Sequence, residues 1–235
     1  MHITKHIPNT ITCLNLSSGC FATVSALQGN LGAAIAWIII AAIFDFSDGL
    51  AARLLKAYSP LGKELDSLSD IVSFGVAPGM SLYVLLKAAA SSLGCGGIHW
   101  LAYLAFAIPV FSGLRLAKFN IDDRQTTSFI GMPVPAHALL WGSLSYALQP
   151  LIASNALCIL VACLAASLLT SYLLVSEIPM FSMKVKTLKW KGNELRYLLV
   201  CCGILFIVLF GFLGIAGSIL LYIILSLINN NLKTK

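Results

Sequence analysis

Eight stretches of mainly apolar residues, each near the length of one membrane crossing, dictate what this chain can become. They run over residues 12–29, 31–53, 66–88, 98–119, 134–150, 155–176, 195–211 and 213–230, against a requirement of about 20 residues per helical span. Their apolar positions run on without alternation, which favours helices over barrel strands. Charged residues make up 10% of the 235 and hydrophobic ones 59%, whereas a soluble domain is about a quarter charged. That balance excludes disorder, an ordinary soluble enzyme and a disulfide-stapled secreted domain. The expected fold is all-α: one polytopic transmembrane helical bundle over residues 1–235, with a six-helix core near 7–176 and a further C-terminal helix pair near 195–230.

The connections orient the bundle. Those near 30, 89–97, 150–155 and 212 hold no Lys or Arg. The others hold Arg53, Lys56 and Lys63; Arg115, Lys118 and Arg124; and Lys184, Lys186, Lys189, Lys191 and Arg196. Lys5, Lys233 and Lys235 lie at the termini, and Lys87 alone lies towards the other side. Such bias in short loops sets topology, so both termini and the basic loops are expected on the cytoplasmic side. The net charge of +6 then reads as a surface facing anionic lipid, and no nucleic-acid partner is expected because interleaved aromatics are missing. A signal peptide before Cys20 is disfavoured by Asn9, Asn15, Ser17 and Ser18, so the first helix is expected to be retained, entered at Pro8. The seven cysteines show no paired metal spacing.

Of nine acidic residues, Asp45, Asp48, Glu64, Asp66 and Asp70 fall within one short stretch. Carboxylates in a membrane helix are costly and imply a site with a partner. Asp45, Asp48, Gly49 and Ala52 share one helix face, and Gly62, Asp66 and Asp70 share another. A turn at Tyr58-Ser59-Pro60 is expected to make the two helices antiparallel neighbours, so that the acid pairs meet near the membrane surface. Like charges so close require protonation or a cation. An all-oxygen donor set suits Mg²⁺ or Mn²⁺, and Ca²⁺ less specifically, as one ion or two. Gly49 and Ala52 leave room for a ligand or for a close helix. Arg53 can fork onto phosphate oxygens or serve as an orienting charge; Ser59 can donate to phosphate or begin the turn.

The pattern Asp45-x-x-Asp48-Gly49-x-x-Ala52-Arg53, eight residues, Gly62-x-x-x-Asp66-x-x-x-Asp70 resembles the signature of the CDP-alcohol phosphatidyltransferase family. Flanking blocks are similar to its bacterial, membrane-integral, serine-using members: Ile7-Pro8-Asn9-Thr10 with Asn15-Leu16, then 73–79, 113–120 and 129–136. The resemblance covers roughly 7–140. Lys118 stands where Arg is expected, Met132 where Leu is expected, and His137 where a small residue is common. What the resemblance implies is transfer of a phosphatidyl group from CDP-diacylglycerol to the serine hydroxyl, releasing CMP, in the bacterial cytoplasmic (inner) membrane. Asp45, Asp48, Asp66 and Asp70 would hold divalent metal, Mg²⁺ or Mn²⁺, with Asp70 also the catalytic base. Gly49, Ala52, Arg53, Ser59 and Gly62 would line the CDP-diacylglycerol head. A homodimer is implied by the resemblance alone.

The signature does not name the acceptor alcohol. Arg115 can grip a carboxylate and Asn120 can offer an amide, which together suggest a serine-binding pocket; the alternative makes Arg115, Lys118 and Arg124 topology charges and Asn120 a helix stop. Asp122 and Asp123 read as solvated charges, and His99 and His137 as interfacial or packing residues. Two other readings stay open: a relative using glycerol phosphate or inositol, and a cation- or proton-coupled transporter. Against the transporter, the acids cluster at one membrane face and no inverted pair of broken helices is present.

Overall fold

The computed structural model describes residues 6–94, 97–122, 129–180 and 193–233. Each expected stretch is helical. The main helices are α1 (Ile7–Leu27), α2 (Leu31–Leu54), α3 (Pro60–Asp70), α4 (Ala77–Ser92), α5 (Ala107–Ile121), α6 (Val134–Leu148), α7 (Ile152–Val175), α8 (Glu194–Phe210) and α9 (Phe212–Lys233). Among the described residues, six segments are long and apolar enough to cross a membrane: Ile7–Leu27, Leu31–Leu54, Pro60–Ser92, His99–Ile121, Val134–Val175 and Phe212–Asn229. The protein is therefore a helical membrane protein. Apolar α8, at 17 residues, sits at the short end of the usual range of about 17–25.

The 42-residue segment Val134–Val175 is too long for one straight crossing. It breaks at a 3₁₀ turn, Gln149–Leu151, and Asn155 leaves helical geometry just beyond it. The indole Nε1 of Trp141 on α6 donates to Thr170 Oγ1 on α7 at 3.0 Å, so the two helices run antiparallel. Both pack on α4.

Pro60–Ser92 is a continuous helical rod with one irregularity. Residues Ile71–Val76 are π-helical, and Ala77 N–H reaches back to the Val72 carbonyl. Pro78 explains the widening: it lacks an N–H and its ring would crowd the carbonyl four residues back, at Phe74. Gly75 and Gly79 let Pro109 of α5 approach that segment closely.

Helix α1 sits at the centre of the acidic half. It packs against α2, α3, the π segment and α4, while α2 and α3 touch each other only slightly. The expected side-by-side pairing of α2 and α3 is thus replaced by pairing of each with α1, which the connection 55–59 is long enough to permit. Small residues make this possible: Gly19 of α1 lies against Ser73, whose Cα would be 2.7 Å from any Cβ added there. The buried stripe of α1, including Pro8, Thr12, Asn15, Gly19, Ala22 and Ala26, recurs at helical spacing.

The second half closes on itself through one short strand pairing and the packing of its last helix. Phe129–Ile130 pairs antiparallel with Pro179–Met180, beyond the end of α7. Gly131 follows at φ +75°, with the Leu174 and Ser176 carbonyls where a Cβ would lie, so only glycine fits that bend. Helix α9 packs on α6 and on Pro179–Met180, placing Ala216, Ile219, Tyr222 and Ile223 in one core with Met132, Val134 and Leu174.

Candidate active site

Asp45 and Asp48 stand one turn apart on α2, and Asp66 reaches them from α3. One carboxylate oxygen from each lies within 4.8 Å of the others. Three hard oxygens at that spacing fit a small divalent cation, whose oxygen ligands sit about 2.0–2.6 Å from the ion. Asp70 lies one turn further along α3, outside this triad; it is buried, at 8% exposure, and within electrostatic reach of Asp45, Asp66 and Asp48.

Helix α1 organises these acids. Thr12 Oγ1 donates to Asp48 Oδ2 at 2.6 Å, and Asn15 Nδ2 donates to Asp70 Oδ1 at 3.4 Å. In return, Ser69 and Ser73 donate to the carbonyls of Thr12 and Asn15. Thr12 and Asn15 were not among the candidate residues. The available signal was a row of polar side chains at helical spacing in an otherwise apolar span, which implies a polar partner inside the bundle.

A cleft of about 230 Å³ opens beside the triad, bounded by Asp48, Gly49, Ala52, Ser59, Gly62 and Asp66 together with Pro8, Asn9 and Thr12 of α1. A Cβ on Gly49 would meet nothing within 4 Å, so its missing side chain widens the cleft instead of admitting a helix. Gly62 has the opposite setting: a Cβ there would lie 3.0 Å from Asn9 Oδ1 and 3.1 Å from Ser59 Oγ. Ser59 caps α3 by accepting from Gly62 N–H at 3.0 Å, with Pro60 at the first helical position. The cap aims the first turn of α3 at the cleft. Arg53 is exposed at the end of α2 and its Nε donates to the Gly49 carbonyl, which leaves the guanidinium at the rim, not in the lining.

The two residues expected to bind the acceptor separate. Arg115 is buried and its Nη2 has no hydrogen-bond partner. Asn120 instead joins α5 to α3: its Nδ2 donates to Ser67 Oγ at 2.8 Å and its carbonyl accepts from Lys63 Nζ at 3.1 Å. Lys118, in the same block, reaches the Val175 carbonyl and Glu177. His137 is fully buried at 3.0 Å from Thr170 Oγ1, a packing role, and His99 is exposed. Asp123, Arg124 and the lysines between 184 and 191 lie outside the described residues.

The sequence profile of CDP-alcohol phosphatidyltransferases matches residues 5–174. The chain belongs to that family. The triad, the cleft and α1 all lie within the match. Among relatives of this phosphatidyltransferase is the CDP-diacylglycerol–serine O-phosphatidyltransferase of Bacillus subtilis (strain 168), 39% identical over 174 residues, 74% of this chain and 89% of the relative. The protein of the same name from Mycobacterium leprae is 39% identical over 189 residues, spanning 75% of this chain and 58% of that one. The archaetidylserine synthase of Methanothermobacter thermautotrophicus is 34% identical over 136 residues, 57% of this chain and 54% of that one. Helices α8 and α9 lie beyond the profile match.

Proposed function

We propose that this phosphatidyltransferase moves the phosphatidyl group of CDP-diacylglycerol onto the hydroxyl of L-serine, giving phosphatidylserine and CMP. The observation that carries the reading is the convergence of Asp45, Asp48 and Asp66 beside a cleft whose wall is left open at Gly49. The serine acceptor is supported by relatives that carry serine in their names.

Asp45, Asp48 and Asp66 would hold Mg²⁺ or Mn²⁺, with Asp70 helping to hold a second ion if two bind. A divalent cation held by these carboxylates would supply positive charge to offset that developing on the diphosphate oxygens. The cleft at Gly49, Ala52, Ser59 and Gly62 takes the diphosphate and its nucleotide, Arg53 closes over it from the rim, and the acyl chains remain in the bilayer. Asp70 accepts from Asn15 through Oδ1, which leaves Oδ2 to take the proton of the attacking hydroxyl. The serine oxygen forms a bond to the phosphatidyl phosphorus, and the bond to the bridging oxygen breaks with its electron pair leaving on CMP. Positioning and electrostatics supply most of the acceleration in such transfers.

The Lys and Arg distribution supports the site and both termini on the cytoplasmic side, and the bacterial relatives support a bacterial cytoplasmic membrane. Family membership supports a homodimer with a catalytic core over 7–176 and an appended pair over 195–230. The deciding experiment incubates detergent-purified protein with CDP-diacylglycerol, Mn²⁺ or Mg²⁺ and a panel of labelled acceptors. Serine should be incorporated and CMP released in equal amounts. Turnover with glycerol phosphate or inositol but not serine would move the assignment to another branch of the family.

A further inference from the structure

Among the described residues, one cationic side chain belongs to the lining of the cleft beside the triad, that of Lys63. It occupies the first turn of α3, where the helix macrodipole works against a cation. Its Nζ crosses to the last turn of α5 and donates to the Asn120 carbonyl at 3.1 Å, an end of a helix that carries partial negative charge. The Asn120 side chain closes the link by donating to Ser67 Oγ at 2.8 Å, and Ser67 donates back to the Lys63 carbonyl at 3.3 Å. Three hydrogen bonds thus form a ring that holds the lysine against the cleft wall. A charge that merely orients the membrane needs no such ring. Lys56, in the connection before α3, shows the contrast: it is exposed and outside the cleft lining.

An ammonium has three N–H donors, and the Asn120 carbonyl takes one. Among the described residues no carboxylate pairs with Lys63, although Asp66 lies three residues along the same helix and lines the same cleft. The carboxylates of that cleft converge on one another, which suits a metal ion, and the lysine is left for an anion. We propose that Lys63 binds a phosphate oxygen of the CDP-diacylglycerol diphosphate through its free N–H groups, with Asn120 as the positioning residue that holds it there. Lysine meets phosphate as a point charge, without the fork geometry that arginine requires. The inference rests on the reading of the cleft given above and deepens it, because Asn120 then serves the donor substrate and not the acceptor.

The test uses full-length wild type, Lys63→Met, Lys63→Arg, Asn120→Ala, the Lys63→Met/Asn120→Ala pair and Lys56→Met. The readouts are the KM for CDP-diacylglycerol, the KM for serine and competitive inhibition by CDP, which carries the diphosphate without acyl chains. None of these constants depends on how much of a preparation is folded. Lys63→Met should raise the CDP-diacylglycerol KM and the CDP inhibition constant each about tenfold, the factor of one charge-assisted hydrogen bond, and leave the serine KM unchanged. Lys63→Arg should keep most of the affinity, and Lys56→Met, which removes an equal orienting charge, should match wild type. Asn120→Ala should raise the same two constants by a smaller factor and add nothing in the Lys63→Met background. Inhibition of Lys63→Met by CDP within about twofold of wild type would overturn the role of Lys63 alone, as would an equal change in Lys56→Met. A wild type that neither turns over CDP-diacylglycerol nor binds CDP would remove the reading of the cleft and this role with it.

Discussion

The Thr12 hydroxyl donates to Asp48 Oδ2 at 2.6 Å, tying the first helix to the acidic triad on the second and third. A hydroxyl has one proton, and this short contact to a carboxylate outcompetes the 3.0 Å contact to the Pro8 carbonyl. The contact restrains the Asp48 carboxylate beside Asp45 and Asp66.

Thr12→Val should therefore weaken cation use without dismantling the fold. Loss of such an outer partner costs about 10–100-fold in metal affinity or activity. Titrating Mn²⁺ into the activity assay should show a raised half-saturation concentration, with Thr12→Ser close to wild type. An unchanged titration curve in the valine variant would dismiss this role.

Asp66 is the single member of the triad that α3 contributes. Asp66→Asn should reduce kcat/KM by at least about 100-fold. Chelation of divalent ions from the wild type should abolish turnover, and Mn²⁺ or Mg²⁺ should restore it. Full activity in excess chelator would rule out the triad as a metal site.

Asp70→Asn keeps the size of a buried side chain and can still meet Asn15. Its kcat should fall by about 10²–10⁴-fold, the usual contribution of a general base, while detergent-solution elution and melting stay near wild type. Activity at a tenth of wild type or more, on that scale, would remove the residue from the base role.

Gly19→Val tests the packing that brings the acids together. Its Cβ would lie 2.7 Å from Ser73 Cα and 2.9 Å from Ser73 N, and backbone on a packed helix cannot yield cheaply. Overpacking of this kind costs about 1–3 kcal/mol, so the melting temperature in detergent should drop. A variant that melts with the wild type would mean that α1 and the π segment can part without penalty.

Thr170→Val should lower stability through a different route. Trp141 donates to the Thr170 hydroxyl and His137 shares it, both in the buried contact of α6 with α7. Valine keeps the shape but leaves the indole N–H unpaired, at about 1–3 kcal/mol. Melting should shift while both substrate KM values hold; a KM shift for either substrate would tie this cluster to the site.

The acidic residues were legible because carboxylates are rare in apolar spans and a carboxylate pair one turn apart must share a face. Helix positions were legible for the same reason of composition: each apolar stretch ended at a polar or Gly/Pro connection, and Ser59-Pro60 announced the start of α3. The relation between those helices was not. The polar residues of α1 read as flaws in a span, although Thr12 and Asn15 are its working face. Nothing in a hydrophobic period distinguishes α2 packed on α3 from both packed on α1, since each buries the same stripe. The π segment had a sequence cue in Pro78, whose ring disturbs the preceding turn, but a proline does not say whether the helix kinks or widens there.

The surplus residue in that widened turn has a mechanical consequence. Between Asp70 and the half of the rod anchored on α6 and α7, the winding is advanced by one position, and one position in an α-helix is about 100° of rotation. Straightening Ile71–Val76 into ordinary α-helix would swing the acid away from Asn15 while every lipid-facing contact beyond Pro78 stayed where it was. The bulge thus works as a fixed gear, setting the angular phase of the acidic end against the hydrophobic end of a single continuous rod.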